Sequence, residues 1–231
     1  MIKQLKVILL LCLLAFLSSC SKKTPEAFDE FISIPPLLKA TFYHNTGSYW
    51  IYEEAYTGFI DCVFVQSATF DTVPILHPGN FTEISRKERF HLRIASSFYG
   101  SVVNIYSEVD CLAASFRPET PHHWVTYELR DARNNPVWAN HLFTWPFTVG
   151  KLEPAYRFTG VSQAWQVDKI ITNFTLNGQT YDTAYSTITD LDLTRQAQEV
   201  HRIYVPGIGE VRRNSVNHGI DWSLIRYASL P

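Results

Sequence analysis

Lys169-Ile170-Ile171-Thr172-Asn173-Phe174-Thr175-Leu176-Asn177-Gly178-Gln179-Thr180-Tyr181-Asp182-Thr183-Ala184-Tyr185-Ser186-Thr187 is the stretch that decides the fold. Side chains alternate along an extended strand, so Ile170, Thr172, Phe174 and Leu176 are expected on one face and Ile171, Asn173 and Thr175 on the other. Asn177-Gly178 supplies the two positive φ angles of a type I′ turn, whose twist suits a two-residue hairpin. Gln179 to Thr187 then returns as the partner strand.

The same grammar extends outward in both directions. Ser48 to Tyr56 and Ile60 to Thr69 flank Thr57-Gly58, and Phe90 to Phe98 and Ser101 to Phe116 flank Tyr99-Gly100. His123 to Arg130 and Val137 to Trp145 flank a longer turn, Ala132 to Pro136. Glu199 to Val205 and Trp222 to Tyr227 complete the strand set. Pro206-Gly207 places proline at i+1 and glycine at i+2, as a type II turn requires, and Gly209 permits a bulge just after it. Tyr49, Ile51 and Glu53 alternate with Trp50, Tyr52 and Glu54; aromatics on both faces predict a strand covered on both sides. Only Leu191 to Val200 has room for a short helix, and no internal repeat occurs. Short strands joined by hairpin turns point to a mainly β protein. The expected fold is one strongly curved antiparallel sheet, a half-barrel or open barrel, with at most short helices.

The first twenty residues set the expected address. Lys3 and Lys6 precede an unbroken apolar run from Val7 to Leu17, which is 11 residues long. About 20 are needed to cross the hydrocarbon core as a helix, so the run fits a signal peptide. No Ala-x-Ala-like site follows it. Leu17-Ser18-Ser19-Cys20 stands there instead and resembles the lipobox of bacterial lipoproteins. That resemblance implies cleavage before Cys20, a diacylglyceryl group on its sulfur and an acyl chain on its new amine. Several acyl chains hold a protein on a membrane, where one binds only reversibly. The expected organisation is a signal peptide over 1–19, a lipidated tether over 20–40 and an antiparallel β domain over 41–231. Pro25 and Pro35-Pro36 break the tether.

Loss of residues 1–19 leaves 212 residues and, with two lysines gone, shifts the formal charge from −2 to −4. Apolar residues make up 46% of the chain and charged ones 18%, a balance that folds rather than stays disordered. No basic stripe exists, which argues against nucleic acid as a partner. Cys62 and Cys111 are the two cysteines left for the domain. They are a candidate disulfide in an oxidising compartment, or two thiols packed on different strands.

Both ends of the domain carry a resemblance. Gly47-Ser48-Tyr49-Trp50-Ile51-Tyr52 is similar to the opening strand of many uncharacterised Gram-negative envelope lipoproteins. Asn177-Gly178-Gln179-Thr180-Tyr181, Tyr204-Val205-Pro206-Gly207-Ile208-Gly209-Glu210-Val211 and Leu224 to Tyr227 are similar to their closing hairpins and last strand. The resemblance implies the half-barrel of periplasmic lipoprotein carriers and an outer-membrane address, and it carries no activity. The middle, Asp71 to Phe158, shares none of it.

Catalytic motifs are absent: there is no Gly-x-Ser-x-Gly elbow, His-Glu-x-x-His pair or phosphate loop. His122-His123 would point to opposite faces of a strand, so no metal site is expected. Trp138, Trp145 and Trp165, with Phe143 and Phe147, are candidate ligand-contacting aromatics or ordinary core. No cofactor is expected. The reading is a non-enzymatic envelope lipoprotein, held by its lipid anchor and binding a hydrophobic ligand, a lipid or a protein partner on a curved sheet. The alternative is a glycan-binding accessory lipoprotein of the outer membrane.

Overall fold

The architecture is that of a computed structural model, which describes residues 31–76, 81, 83–98, 102–109, 124–130, 138–154, 164–189, 199–215 and 219–230. The strands are β1 (Phe31–Ile32), β2 (Tyr49–Glu54), β3 (Ile60–Leu76), β4 (Glu83–Ser96), β5 (Val102–Val109), β6 (Trp124–Arg130) and β7 (Trp138–Trp145). They continue as β8 (Glu153–Pro154), β9 (Ala164–Leu176), β10 (Gln179–Thr189), β11 (Val200–Val205), β12 (Gly209–Ser215) and β13 (Ile220–Ala228). One short helix, α1 (Pro36–Phe42), lies between β1 and β2.

All 13 strands join one sheet, in the order β7-β6-β5-β4-β3-β2-β13-β12-β11-β10-β9-β8, with β1 attached to β4. Each half is a plain meander of antiparallel neighbours. The two halves meet where β2 pairs with β13, through Trp50 opposite Tyr227 and Tyr52 opposite Leu224. The free ends of the sheet, β7 and β8, are therefore consecutive in the chain and unpaired with each other. The sheet is mixed rather than purely antiparallel, because β1 runs parallel to β4 (Phe31 opposite Arg86, Ile32 opposite Lys87).

The segment expected to be the last part of the tether belongs to the folded domain. Ile32, Ile34, Leu38 and Phe42 are all buried in the common core. Pro36 opens α1, where a missing N–H costs nothing and the fixed φ already suits a helix, so Pro35-Pro36 starts an element rather than interrupting one. Glu88 of β4 holds this segment, accepting from the Ile34 amide at 2.7 Å and pairing with Lys39 at 2.8 Å. On the other side the Gly207 amide donates to the Ala40 carbonyl at 2.7 Å. One core cluster draws side chains from α1, β2, β3, β4, β7 and β9 to β13.

The central hairpin forms as expected, with Leu176 opposite Gln179 and φ of 50° and 79° at Asn177 and Gly178. Its strict alternation does not hold. Asn173 has φ 53°, and Ile171 packs against the core together with Phe174 and Leu176, while Ile170 is 47% exposed. A left-handed residue inside a strand resets which face its neighbours present. β2 differs too: Trp50 and Tyr52 are buried, but Tyr49 and Ile51 are only half-buried, so one face is covered.

The Val205-Pro206-Gly207-Ile208 turn closes with the Ile208 amide on the Val205 carbonyl at 3.0 Å and φ 84° at Gly207. Gly209 has φ 101°, and a Cβ there would lie 3.1 Å from His44 Nε2 and 3.5 Å from the Thr41 carbonyl. Only glycine suits both that backbone and that approach. The turn thereby seats against Trp50, whose Nε1 donates to the Ile208 carbonyl at 2.6 Å, and Tyr52, whose hydroxyl donates to the Glu210 carbonyl at 2.7 Å.

Candidate functional site

The described aromatic residues concentrate where the unpaired ends of the sheet approach each other. Phe143 on β7 lies 5.4 Å from the Trp165 ring on β9 and 5.9 Å from Tyr185 on β10, both edge-on. Phe147, just past the end of β7, sits 5.5 Å from Phe143, 5.4 Å from Trp145 and 5.8 Å from Tyr185. Edge-to-face pairs of this kind add stabilisation beyond the area they bury. Trp165 Nε1 donates to the Leu142 carbonyl at 2.8 Å, which satisfies one backbone acceptor on the free edge of β7. Beyond it, the Gly150 amide donates to the Val167 carbonyl at 2.8 Å and fastens the β7–β8 connection to β9.

Tyr185 also borders a surface groove of about 440 Å³, lined by Thr180, Tyr181, Asp182, Thr183, Val205 and Pro206 as well. The hairpin turn brings Tyr181, Thr183 and Tyr185 to one face of β10. Burial pushes the Tyr185 phenol up. The Tyr181 phenol is pushed up to about 12, chiefly by burial and then by its hydrogen bond to Tyr227. Both rings are neutral hydrogen-bonding surfaces at any physiological pH. The groove offers aromatic faces, a carboxylate and hydroxyls.

Of the aromatics expected to meet a ligand, Trp165 does not reach one: its side chain is fully buried and its nitrogen is engaged inside the protein. Its position facing the approaching β7 edge is the reason. Trp145 is half-buried at the aromatic seam, as are Phe147 and Tyr185. Trp138 lies on β7, with its side chain outside the described residues. Cys20, Cys111 and His122-His123 also lie outside them. Cys62 is half-buried on β3 and has no disulfide partner among the described residues. Among those residues, no cluster of three His, Cys, Asp or Glu side chains is close enough to hold a metal ion.

Two features escaped the sequence reading. Tyr181 and Tyr185 stand in the decisive hairpin, and their four-residue spacing, which alternation along a strand brings to one face, was the available signal. His44 carried none. It is buried, with Nε2 donating to the Thr41 carbonyl at 3.3 Å and Nδ1 accepting from the Ser229 hydroxyl at 2.9 Å, its ring 4.7 Å from Trp50. Burial lowers its pKa to about 4, so it is a neutral core residue rather than a base. No protein-family model, curated protein or solved structure matches the chain. No helix among the described residues is long and apolar enough to cross a membrane.

Proposed function

We propose that this chain is a non-enzymatic envelope lipoprotein, tethered through acyl chains on Cys20, that binds an apolar ligand or partner segment on a half-barrel. Support for the half-barrel comes from one distance. At about 4.8 Å per strand, a flat sheet would hold β7 and β9 about 50 Å apart. The Trp165 nitrogen instead reaches the Leu142 carbonyl at 2.8 Å. Such a sheet wraps around α1, whose Leu38 and Phe42 fill its interior. The binding surface is therefore the seam at the open edge, where Trp145, Phe147 and Tyr185 are half-buried, and not the concave interior. The seam is the observation that carries the reading. It suits a ligand that adds to aromatic rings or to the free edge of β7.

N-phenyl-1-naphthylamine, an apolar fluorescent probe, tests this directly. The full-length protein is expected to bind it with blue-shifted emission. Trp145→Ala with Phe147→Ala is expected to weaken binding about thirtyfold or more, since each truncation removes apolar contact worth about 1 kcal/mol or more. Equal affinity in parent and variant would contradict the assignment.

The groove supports a second reading, a glycan-binding lipoprotein, because Tyr181 and Tyr185 lie beside Asp182, Thr180 and Thr183. Stacking faces next to hydroxyl and carboxylate partners suit a sugar ring. Binding on a glycan array that Tyr181→Ala abolishes, with no probe binding, would favour it over the first.

A further inference from the structure

β3 and β4 extend well past their neighbours in the sheet. β2 pairs with β3 only as far as Phe64, and β5 pairs with β4 only from Phe90 to Ala95. The two strands continue together to Leu76 opposite Glu83; β1 is the one described strand that pairs with them there, and one face stays covered, with Ile75, Ser85 and Lys87 buried. The result is a two-stranded arm that runs on past its paired neighbours β2 and β5. Its far end carries large apolar side chains in the open: Phe81 is 74% exposed, Phe31 49% and Leu76 46%. Isolated exposed apolar residues need no explanation, but three at one end of one arm do.

β1 begins at the same end. β1 runs parallel to β4 with Phe31 opposite Arg86, so its N-terminal end lies on the Glu83 side of β4. Ten residues lie between Cys20 and Phe31, eleven Cα steps and a reach of about 40 Å at most. Three ion pairs lie on the arm: Arg86 with Glu83 at 2.7 Å, Lys39 with Glu88 at 2.8 Å and Arg89 with Asp71 at 3.6 Å. The tip thus presents apolar surface with little net field.

We infer that the tip of this arm, through Phe81, Leu76 and Phe31, dips into the lipid surface of the membrane that holds the anchor. The inference rests on the lipid anchor proposed above. Apolar side chains at the headgroup boundary gain burial there, and an anchored protein meets that boundary at high local concentration. The contact is driven by burial, so it does not require anionic lipid. It would fix the orientation of the domain and turn the aromatic seam in a defined direction.

The test uses the full-length lipidated protein in phosphatidylethanolamine–phosphatidylglycerol vesicles with dibrominated acyl chains, which quench tryptophan on contact. Phe81→Trp reports the tip. Tyr56→Trp reports the opposite end of β3, about 50 Å away by the rise of a 17-residue strand. Both substitutions keep an aromatic ring at a strongly exposed position. Emission added at 81 is expected to be quenched severalfold more than that added at 56, and equally in vesicles without phosphatidylglycerol. Equal quenching at both sites, with the protein still floating with the vesicles, would overturn the inference and leave the anchor standing. Protein that fails to float would overturn the anchor, and the inference with it.

Discussion

Trp165→Ala is expected to lower the unfolding free energy by about 3–5 kcal/mol, the range for truncating a buried large aromatic. The side chain is fully buried, packs edge-on against Phe143 and satisfies the Leu142 carbonyl. Alanine would leave a cavity and an orphaned acceptor at the point where β7 meets β9. Trp165→Phe keeps much of the ring and loses the hydrogen bond, so about 1–2 kcal/mol is expected. Urea unfolding followed by circular dichroism separates the two. A cost under about 1 kcal/mol for alanine would mean that the ends of the sheet do not meet over this ring.

The second large effect comes from His44. Its pKa falls from an ordinary 6.5 when unfolded to about 4 when folded. The unfolded chain therefore takes up the proton first as pH drops. The stabilisation is complete above pH 6.5 and drains away as pH falls through 6.5 toward 4. Between pH 7 and pH 5 the loss is expected to be about 2 kcal/mol. The groups packed on the ring are Thr41, Ser229, Trp50 and Gly209, and none carries a charge that would welcome the imidazolium. His44→Gln removes the titration, so its stability should vary much less between the same pH values. Parallel pH dependence in parent and variant would contradict this assignment.

Hairpins were the legible part of the fold, because turn chemistry is local. Asn177-Gly178, Thr57-Gly58 and Pro206-Gly207 each need backbone angles that few residues supply, and each stands between the strands expected of it. The meeting of β2 with β13 and of β7 with β9 was not legible, since no local pattern encodes which distant strands become neighbours. The positive φ at Asn173 was hidden as well: nothing in Thr172-Asn173-Phe174 distinguishes a face reset from plain alternation. Residues 31–40 were not legible as part of the domain, because a Pro-Pro pair can end one kind of structure or begin another, and only the burial of Ile34 and Leu38 decides which. At the site, Trp145 and Phe147 were visible as clustered aromatics. Trp165 looked equivalent, and only its position facing the β7 edge separates core from surface.

Growth of the producing cells with an alkyne-bearing fatty acid, followed by recovery of the chain and of its Cys20→Ser variant, bears on the central claim most directly. The parent should carry the label and fractionate with the envelope, while the serine variant should be unlabelled and released from it. Parent protein without label, or a variant that fractionates unchanged, would contradict the account.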